Sequence, residues 1–399
     1  MTMLLEEWLN ETNCSAIVRE VRELSCYMAV GQWTQAHQKK IFWRNRQGVV
    51  FPLEHAKVIS LSCILAGDPG SYKSEAVRFV KKVCRAYNDL VLSRMSPTHQ
   101  PIPIFPYDQV TKEFLLTDLA QQTKLLADAN APCITTIFID ELINFLNRRE
   151  YVEPLVGLLN SLLDQPPEYA AGTQKRQGEL IKRPLVSLFA ACAPSWFKYM
   201  PEALFTGGYS GRCPFYWVRY PSDKERQPFG QVAHDGADRR LAEILWHLPQ
   251  QDIVLTPDSI DIYAKWERDF GKEKAHDIQA LDEWFKRRAI QSVRWASSIS
   301  LAHGETEVTP EFMNEANKHM NWICQTLERV WEELDSDDST RYRIFVSQLV
   351  GKEFSESQLF DLGVKCMKYS MRASSIIDYM KKSSILAVRP STSKWFYRG

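Results

Sequence analysis

The run Val58-Ile59-Ser60-Leu61-Ser62-Cys63-Ile64-Leu65-Ala66 leads directly into Gly67-Asp68-Pro69-Gly70-Ser71-Tyr72-Lys73-Ser74. The first is a short apolar stretch bounded by a Gly/Pro turn, the pattern of a strand buried on both faces. The second opens a helical pattern that continues from Ser74 to about Met95. Strand, glycine-bearing loop and helix in this order make a phosphate cradle, because backbone N–H groups of the loop and of the helix N-terminus point at the ligand. Lys73 is placed to neutralise β- and γ-phosphates, and the Ser74 hydroxyl to ligate Mg²⁺. Gly67, Asp68, Pro69, Gly70, Ser71 and Tyr72 form the cradle itself, so ATP and Mg²⁺ are the expected cofactors. Tyr72 stands where the motif G-x-x-x-x-G-K-[ST] has its second glycine. A strand–turn–helix with an incidental Lys-Ser pair is the competing reading.

Outward from this loop, Thr135-Thr136-Ile137-Phe138-Ile139-Asp140-Glu141 is a hydrophobic strand ending in two acids. Asp140 is expected in the Mg²⁺ shell, and Glu141 is expected to orient and deprotonate an attacking water. A third apolar run, Leu180–Ala193, closes a strand–helix alternation that predicts an α/β domain with a mainly parallel sheet. Its end offers two candidate sensors, Cys192, a weak hydrogen-bonder, and Ser195. The loop Phe205–Phe215 presents a single arginine, Arg212, suited to act as a finger on a neighbouring subunit's γ-phosphate. A structural arginine on a turn is the alternative. Just before the third strand, Thr173–Arg183 holds Lys175, Arg176, Lys182 and Arg183 against Glu179. A hairpin gripping nucleic acid and a plain surface loop both fit it.

The chain has 399 residues, 49 Lys+Arg and 49 Asp+Glu, with 45% hydrophobic and 25% charged residues. That profile excludes a disordered tail and a collagen-like fibre, and zero net charge excludes coating of nucleic acid by bulk charge. The longest apolar runs are about ten residues, half of what a membrane span needs. Nine scattered cysteines, none spaced Cys-x-x-Cys, are expected as reduced thiols of a cytoplasmic protein without a structural zinc. The acidic N-terminus lacks a secretory layout.

Charge is unevenly distributed. Residues 341–399 carry eleven basic residues against Glu353, Glu356, Asp361 and Asp378, so 11 − 4 = +7. The first 340 residues carry 38 − 45 = −7. The pattern at the C-terminus predicts three short helices, about 341–350, 356–368 and 372–382, then strands Ile385–Val388 and Lys394–Tyr397. This is a winged-helix layout whose third helix offers Arg372, Ser374, Ser375, Lys381 and Lys382 to DNA. Winged helices also bind proteins, but the excess of positive charge favours nucleic acid. The expected organisation is a helical segment 1–42, an α/β core 43–225, a helical lid 226–334 with little β signal, and a winged helix 335–399. The acidic run Glu332, Glu333, Asp335, Asp337, Asp338 is expected to be a solvated linker.

In order along the chain, Gly67–Ser74, Tyr107–Glu113, Ile137–Glu141, the basic run before Pro184, Ala193–Phe197 and Gly207–Arg212 resemble the helicase-like P-loop ATPases of phages, plasmids and genomic islands. The order is also similar to superfamily 3 and minichromosome-maintenance helicases. The match is loose over about residues 45–335 and specific only at the cradle, the acidic strand and the Gly-Arg loop. The resemblance implies an AAA+-like core with a helical lid, a ring-forming homo-oligomer acting on DNA, and a primase or other replication protein as partner. It also implies a lid arginine touching nucleotide, with Arg287, Arg288 and Arg294 as candidates. Tyr72 and Cys192 depart from the family pattern. Two other functions stay open: an ATP-dependent switch that binds DNA without unwinding it, and a scaffold whose phosphate site Tyr72 blocks. A role in defence against phages is compatible with all three.

Overall fold

The computed structural model describes residues 3–11, 17–53, 58–107, 111–126, 131–145, 149–173, 176–199, 208–222, 236–273, 279–336, 338–367, 370–389 and 391–398. The chain divides into two compact units, Met1–Leu327 and Glu328–Gly399. Among the described residues no helix is long and apolar enough to cross a membrane.

The first unit is mixed α/β. It begins with helices α1 (Met3–Glu11) and α2 (Arg19–Ala36), then a hairpin of β1 (Ile41–Arg44) and β2 (Val50–Pro52). The central elements follow as β3 (Cys63–Ala66), α3 (Lys73–Arg94), α4 (Lys112–Leu125), β4 (Ile134–Ile139), α5 (Leu142–Phe145) and α6 (Arg149–Leu163). Next come β5 (Glu168–Thr173), β6 (Arg176–Lys182), β7 (Leu185–Cys192), a 3₁₀ turn over Pro194–Tyr199, α7 (Tyr209–Arg212) and β8 (Phe215–Trp217). The principal sheet has the order β4-β7-β3-β8, with every pairing parallel. Beyond β4, Ile104 makes one more parallel bridge, to Thr136. Every residue of β3 and β7 is buried, which is why both read as unbroken apolar runs. Because the strands run parallel, the loop after β3, the acids after β4 and the turn after β7 all emerge at one edge. That carboxyl edge is where open α/β sheets bind ligands.

Helix α2 is buried along nearly its whole length. Its Gln32 amide donates to the Leu61 carbonyl (3.1 Å) and its carbonyl accepts from Thr136 and Ser187. Gln35 donates to the carbonyls of Thr135 (3.1 Å) and Leu185 (2.7 Å) and accepts from Ser60 (2.7 Å). Two polar side chains thus satisfy main-chain groups of β4, of β7 and of the segment leading into β3, as buried amides must. The segment 1–42 is part of this unit.

Two expectations shift. The run Leu180–Ala193 is two strands, because Arg183 takes a left-handed φ of 42° and Pro184 cannot continue the ladder. Its first part pairs antiparallel with β5 as a hairpin, and only Leu185–Cys192 joins the parallel sheet. After α8 (Ala237–Trp246) come β9 (Ile253–Leu255), α9 (Pro257–Glu273), α10 (Gln279–Ala302), β10 (Glu307–Val308) and α11 (Pro310–Ser336). The helical stretch therefore contains short strands. They join β1 and β2 in a second sheet of order β10-β9-β1-β2.

The second unit contains α12 (Asp338–Leu349), β11 (Glu353–Phe354), α13 (Glu356–Met367), α14 (Ser370–Lys382), β12 (Leu386–Arg389) and β13 (Lys394–Tyr397). Its sheet is antiparallel with order β11-β13-β12. Phe345, Leu349, Leu359, Met367, Ala373, Ile377, Met380 and Leu386 form its core. The acidic run is helical rather than a linker: Glu332, Glu333 and Asp335 continue α11 and Asp338 opens α12. Glu is a good helix former, and the periodic pattern from Pro310 carries through it.

Candidate functional site

The loop between β3 and α3 is held by close backbone contacts. Gly67 N–H donates to the Cys192 carbonyl at 3.2 Å, and a Cβ on Gly67 would lie 2.6 Å from the Val218 carbonyl oxygen. Gly70 has φ +84°, and a Cβ there would meet the Tyr220 ring at 2.8 Å. Tyr72 has φ 60° and ψ 19°, the left-handed conformation, immediately before the first residue of α3. The backbone demand that favours glycine at this motif position is retained although the residue is tyrosine. For an L-residue it costs about 1–2 kcal/mol.

Lys73 follows, 5% exposed. Its ammonium lies 3.4 Å from the Asp68 carbonyl, and no carboxylate pairs with it among the described residues. Beside it the Ser71 hydroxyl is fully buried with no hydrogen-bond partner. A buried cation and a buried donor without an anion make a cradle whose chemistry fits a phosphate.

Ser74 donates its hydroxyl to the Asp140 carbonyl at 2.9 Å, joining α3 to the acidic end of β4. Arg78, one turn on, places Nε 3.6 Å from Asp140 and Nη2 3.3 Å from Glu75, with the side chains about half exposed. Burial pushes the Cys192 thiol up; the charge of Glu141 adds to this and that of Lys73 opposes it. Both groups therefore stand around the end of β7. Cys192 Sγ is taken by the Ala193 carbonyl at 3.3 Å, while Ser195 is exposed. Pro69, Gly70, Tyr72, Lys73, Ser74, Glu141 and Ser195 line one cleft of about 730 Å³. Of the residues expected in the cradle, Gly67, Asp68 and Ser71 complete the loop, and Asp140 adjoins it through Ser74. Arg78 and Tyr220 were missed. Arg78 carried a signal, its i+4 spacing from Ser74 on one helix face.

Arg212 is elsewhere. It closes α7, ahead of β8, so it sits toward the amino edge of the sheet, opposite the cradle. Its Nε and Nη2 fork onto Asp164 at 2.8 and 2.5 Å, and Nη1 donates to the Gly208 carbonyl at 2.7 Å. Arg287 reaches the same carboxylate at 2.7 Å. Arg288 instead pairs with Glu267 at 3.1 Å. Arg294 is 8% exposed. Burial lowers its pKa to about 10, with Asp164 opposing and Arg287 adding to the shift. Burial raises the Asp164 pKa, but the bonds and charge of Arg212, then those of Arg287, outweigh it and hold the carboxyl below its ordinary value.

The residues expected to contact DNA divide. Lys175 lies outside the described residues. Arg176 begins β6, and Arg372 lies on α14, with the side chains of both outside them. Lys381 pairs with Glu356 at 2.6 Å and lies over the Trp395 ring at 4.6 Å, so it is part of the second unit's packing. Lys382, Ser374 and Ser375 are exposed on α14. No family model matches the sequence, and neither does any curated protein.

Proposed function

We propose that the chain is a Mg²⁺-dependent ATPase that assembles into a ring and acts on DNA, as a replicative helicase or replication initiator of a mobile genetic element. The observation that carries this reading is Lys73, a buried ammonium with no carboxylate partner among the described residues, standing in the same cleft as Ser74 and Glu141. The Ser74 hydroxyl and the Asp140 carboxylate would hold Mg²⁺, whose charge would help neutralise the phosphates. Loop N–H groups and Lys73 hold the phosphates, Glu141 takes the proton of the attacking water, and Ser195 reaches the cleft as sensor. Arg212 stands toward the opposite edge of the sheet from its own chain's cradle, which supports a role toward a neighbouring subunit. Three helices followed by a β-hairpin support a winged helix in the second unit. There Lys382 and the residues 391–393 face DNA with Arg372 as a further candidate, and Lys175 and Arg176 are candidates for a second contact. A primase or other replication protein is the partner this reading implies.

Calorimetry with MgATP, phosphate release with and without DNA, and displacement of a forked duplex test the proposal. DNA-stimulated hydrolysis with strand displacement is expected. Hydrolysis without displacement would move the chain to the class of DNA-binding switches. Tyr72, lining the cleft, favours a second reading, a scaffold that holds no nucleotide. Absent ATP binding that Tyr72→Gly restores would select it.

A further inference from the structure

Two arginines converge on one carboxylate at the edge of the first unit away from the cradle, and a third stands on the same helix face as one of them. Arg212 and Arg287 both bond Asp164, and Arg294 feels the charge of both Asp164 and Arg287. Arg287, Gln291 and Arg294 lie at i, i+4 and i+7 on α10, one helical face. From that face Gln291 donates to the carbonyls of Gly211 (2.9 Å) and Arg212 (3.3 Å), fixing α7 against α10. The cluster is thus positioned by two elements that hold each other.

Its charge does not balance. Among the described residues the three guanidiniums face one paired carboxylate, so 3 − 1 = +2. Arginine cannot lose its proton to relieve this. Arg294 is 8% exposed, and its Nε has no hydrogen-bond partner. A buried guanidinium with an unused donor beside two others is costly unless an anion completes it. The cluster is open at one side, with the Asp164 and Arg287 side chains 39% and 29% exposed. None of the four residues lines the cleft of Lys73.

We infer that Arg212, Arg287 and Arg294 form a binding site for a phosphate-class oxyanion, separate from the cradle, with Asp164 as the internal carboxylate that competes for it. A tetrahedral dianion matches the residual charge and the planar, forked donors. The anion is free phosphate or pyrophosphate, taken up apart from any nucleotide in the cradle. The assignment rests on the charge cluster and does not require the ATPase reading.

The test uses the full chain carrying Lys73→Ala, which cripples the cradle, titrated with pyrophosphate by calorimetry while sedimentation reports its oligomeric state. Pyrophosphate binding is expected, weakened about tenfold or more by Arg287→Gln or Arg294→Met, the loss of a charge-assisted hydrogen bond. Asp164→Asn is expected to tighten it. Arg294 is buried and its variant can fail to fold, so the partly exposed Arg287 and Asp164 carry the decision. Unchanged affinity in both of their variants would overturn the site, as would absence of pyrophosphate binding to the Lys73→Ala chain. ATP affinity of the chain with Lys73 intact reports the cradle separately, so failure of one reading is not mistaken for failure of the other.

Discussion

The Ser74 hydroxyl donates to the Asp140 carbonyl at 2.9 Å, so the first turn of α3 and the acidic end of β4 are locked together by the protein itself. Preorganised groups lose little reorganisation energy when charge is transferred, and catalysis benefits accordingly.

With this geometry in place, Glu141→Gln is expected to leave MgATP binding intact while lowering hydrolysis by about 10²–10⁴-fold, the usual contribution of a general base. Calorimetry and phosphate release measure the two quantities separately. Hydrolysis that survives the substitution would remove Glu141 from the mechanism.

Tyr72 occupies a left-handed position that glycine takes without strain. Tyr72→Gly relieves about 1–2 kcal/mol of backbone strain and returns about half of it through the freer unfolded chain. Its stability in urea is expected to be equal or slightly higher. A β-branched residue is still less tolerant of positive φ. Tyr72→Val is therefore expected to melt below wild type, and equal melting of the two variants would show that the loop relaxes.

His319 is buried and stacks on Trp295 with ring centroids 4.9 Å apart. Burial holds its pKa down at about 4, against an ordinary 6.5. Between these values the unfolded chain takes up a proton that the folded chain refuses, so stability falls as pH drops through that window. At its lower end the loss approaches roughly 3 kcal/mol. Burial lowers His37 in the same direction, also to about 4. Urea unfolding at pH 7 and pH 4.5 reads the slope, and His319→Gln should flatten it. An unchanged slope would assign the pH dependence to other groups.

Neighbouring lysines on α14 are expected to behave differently. Lys382 is exposed, and its replacement by alanine should weaken DNA binding and reduce the salt slope by about one. Lys381, paired with Glu356 and over Trp395, should lower the melting temperature when replaced, with little change in that slope. Fluorescence anisotropy across a salt series, with thermal melts, separates them. A salt slope that falls for Lys381 and not Lys382 would reverse the assigned face.

The helices and hairpin of the C-terminal unit were legible to within three residues, because they are written in short-range periodicity and turns, whereas β11 was not. The strand–loop–helix of the cradle was legible for the same reason, and even the left-handed demand at Tyr72 follows from the glycine it replaces. What local pattern does not carry is pairing across distance. Asp164 meets Arg212 and Arg287, 48 and 123 positions away, and no periodicity marks a lone aspartate after an apolar helix. Likewise β9 is three residues long and becomes a strand because β1 and β10, distant in sequence, lie on either side of it.

Gln35 of α2 bonds the Leu185 carbonyl across 150 positions, and Gln32 accepts from Ser187 across 155. During synthesis α2 therefore leaves the ribosome long before the strand that satisfies its amides exists. Until β7 emerges, Gln32 and Gln35 lack their partners Ser187 and Leu185, and the face of α2 that covers β7 stays open. Long-range closure of this kind slows folding and leaves apolar surface open to aggregation. Helix α2 is thus made well before β7 and is among the last pieces that can settle, and nascent chains halted before β7 should be the ones a chaperone holds.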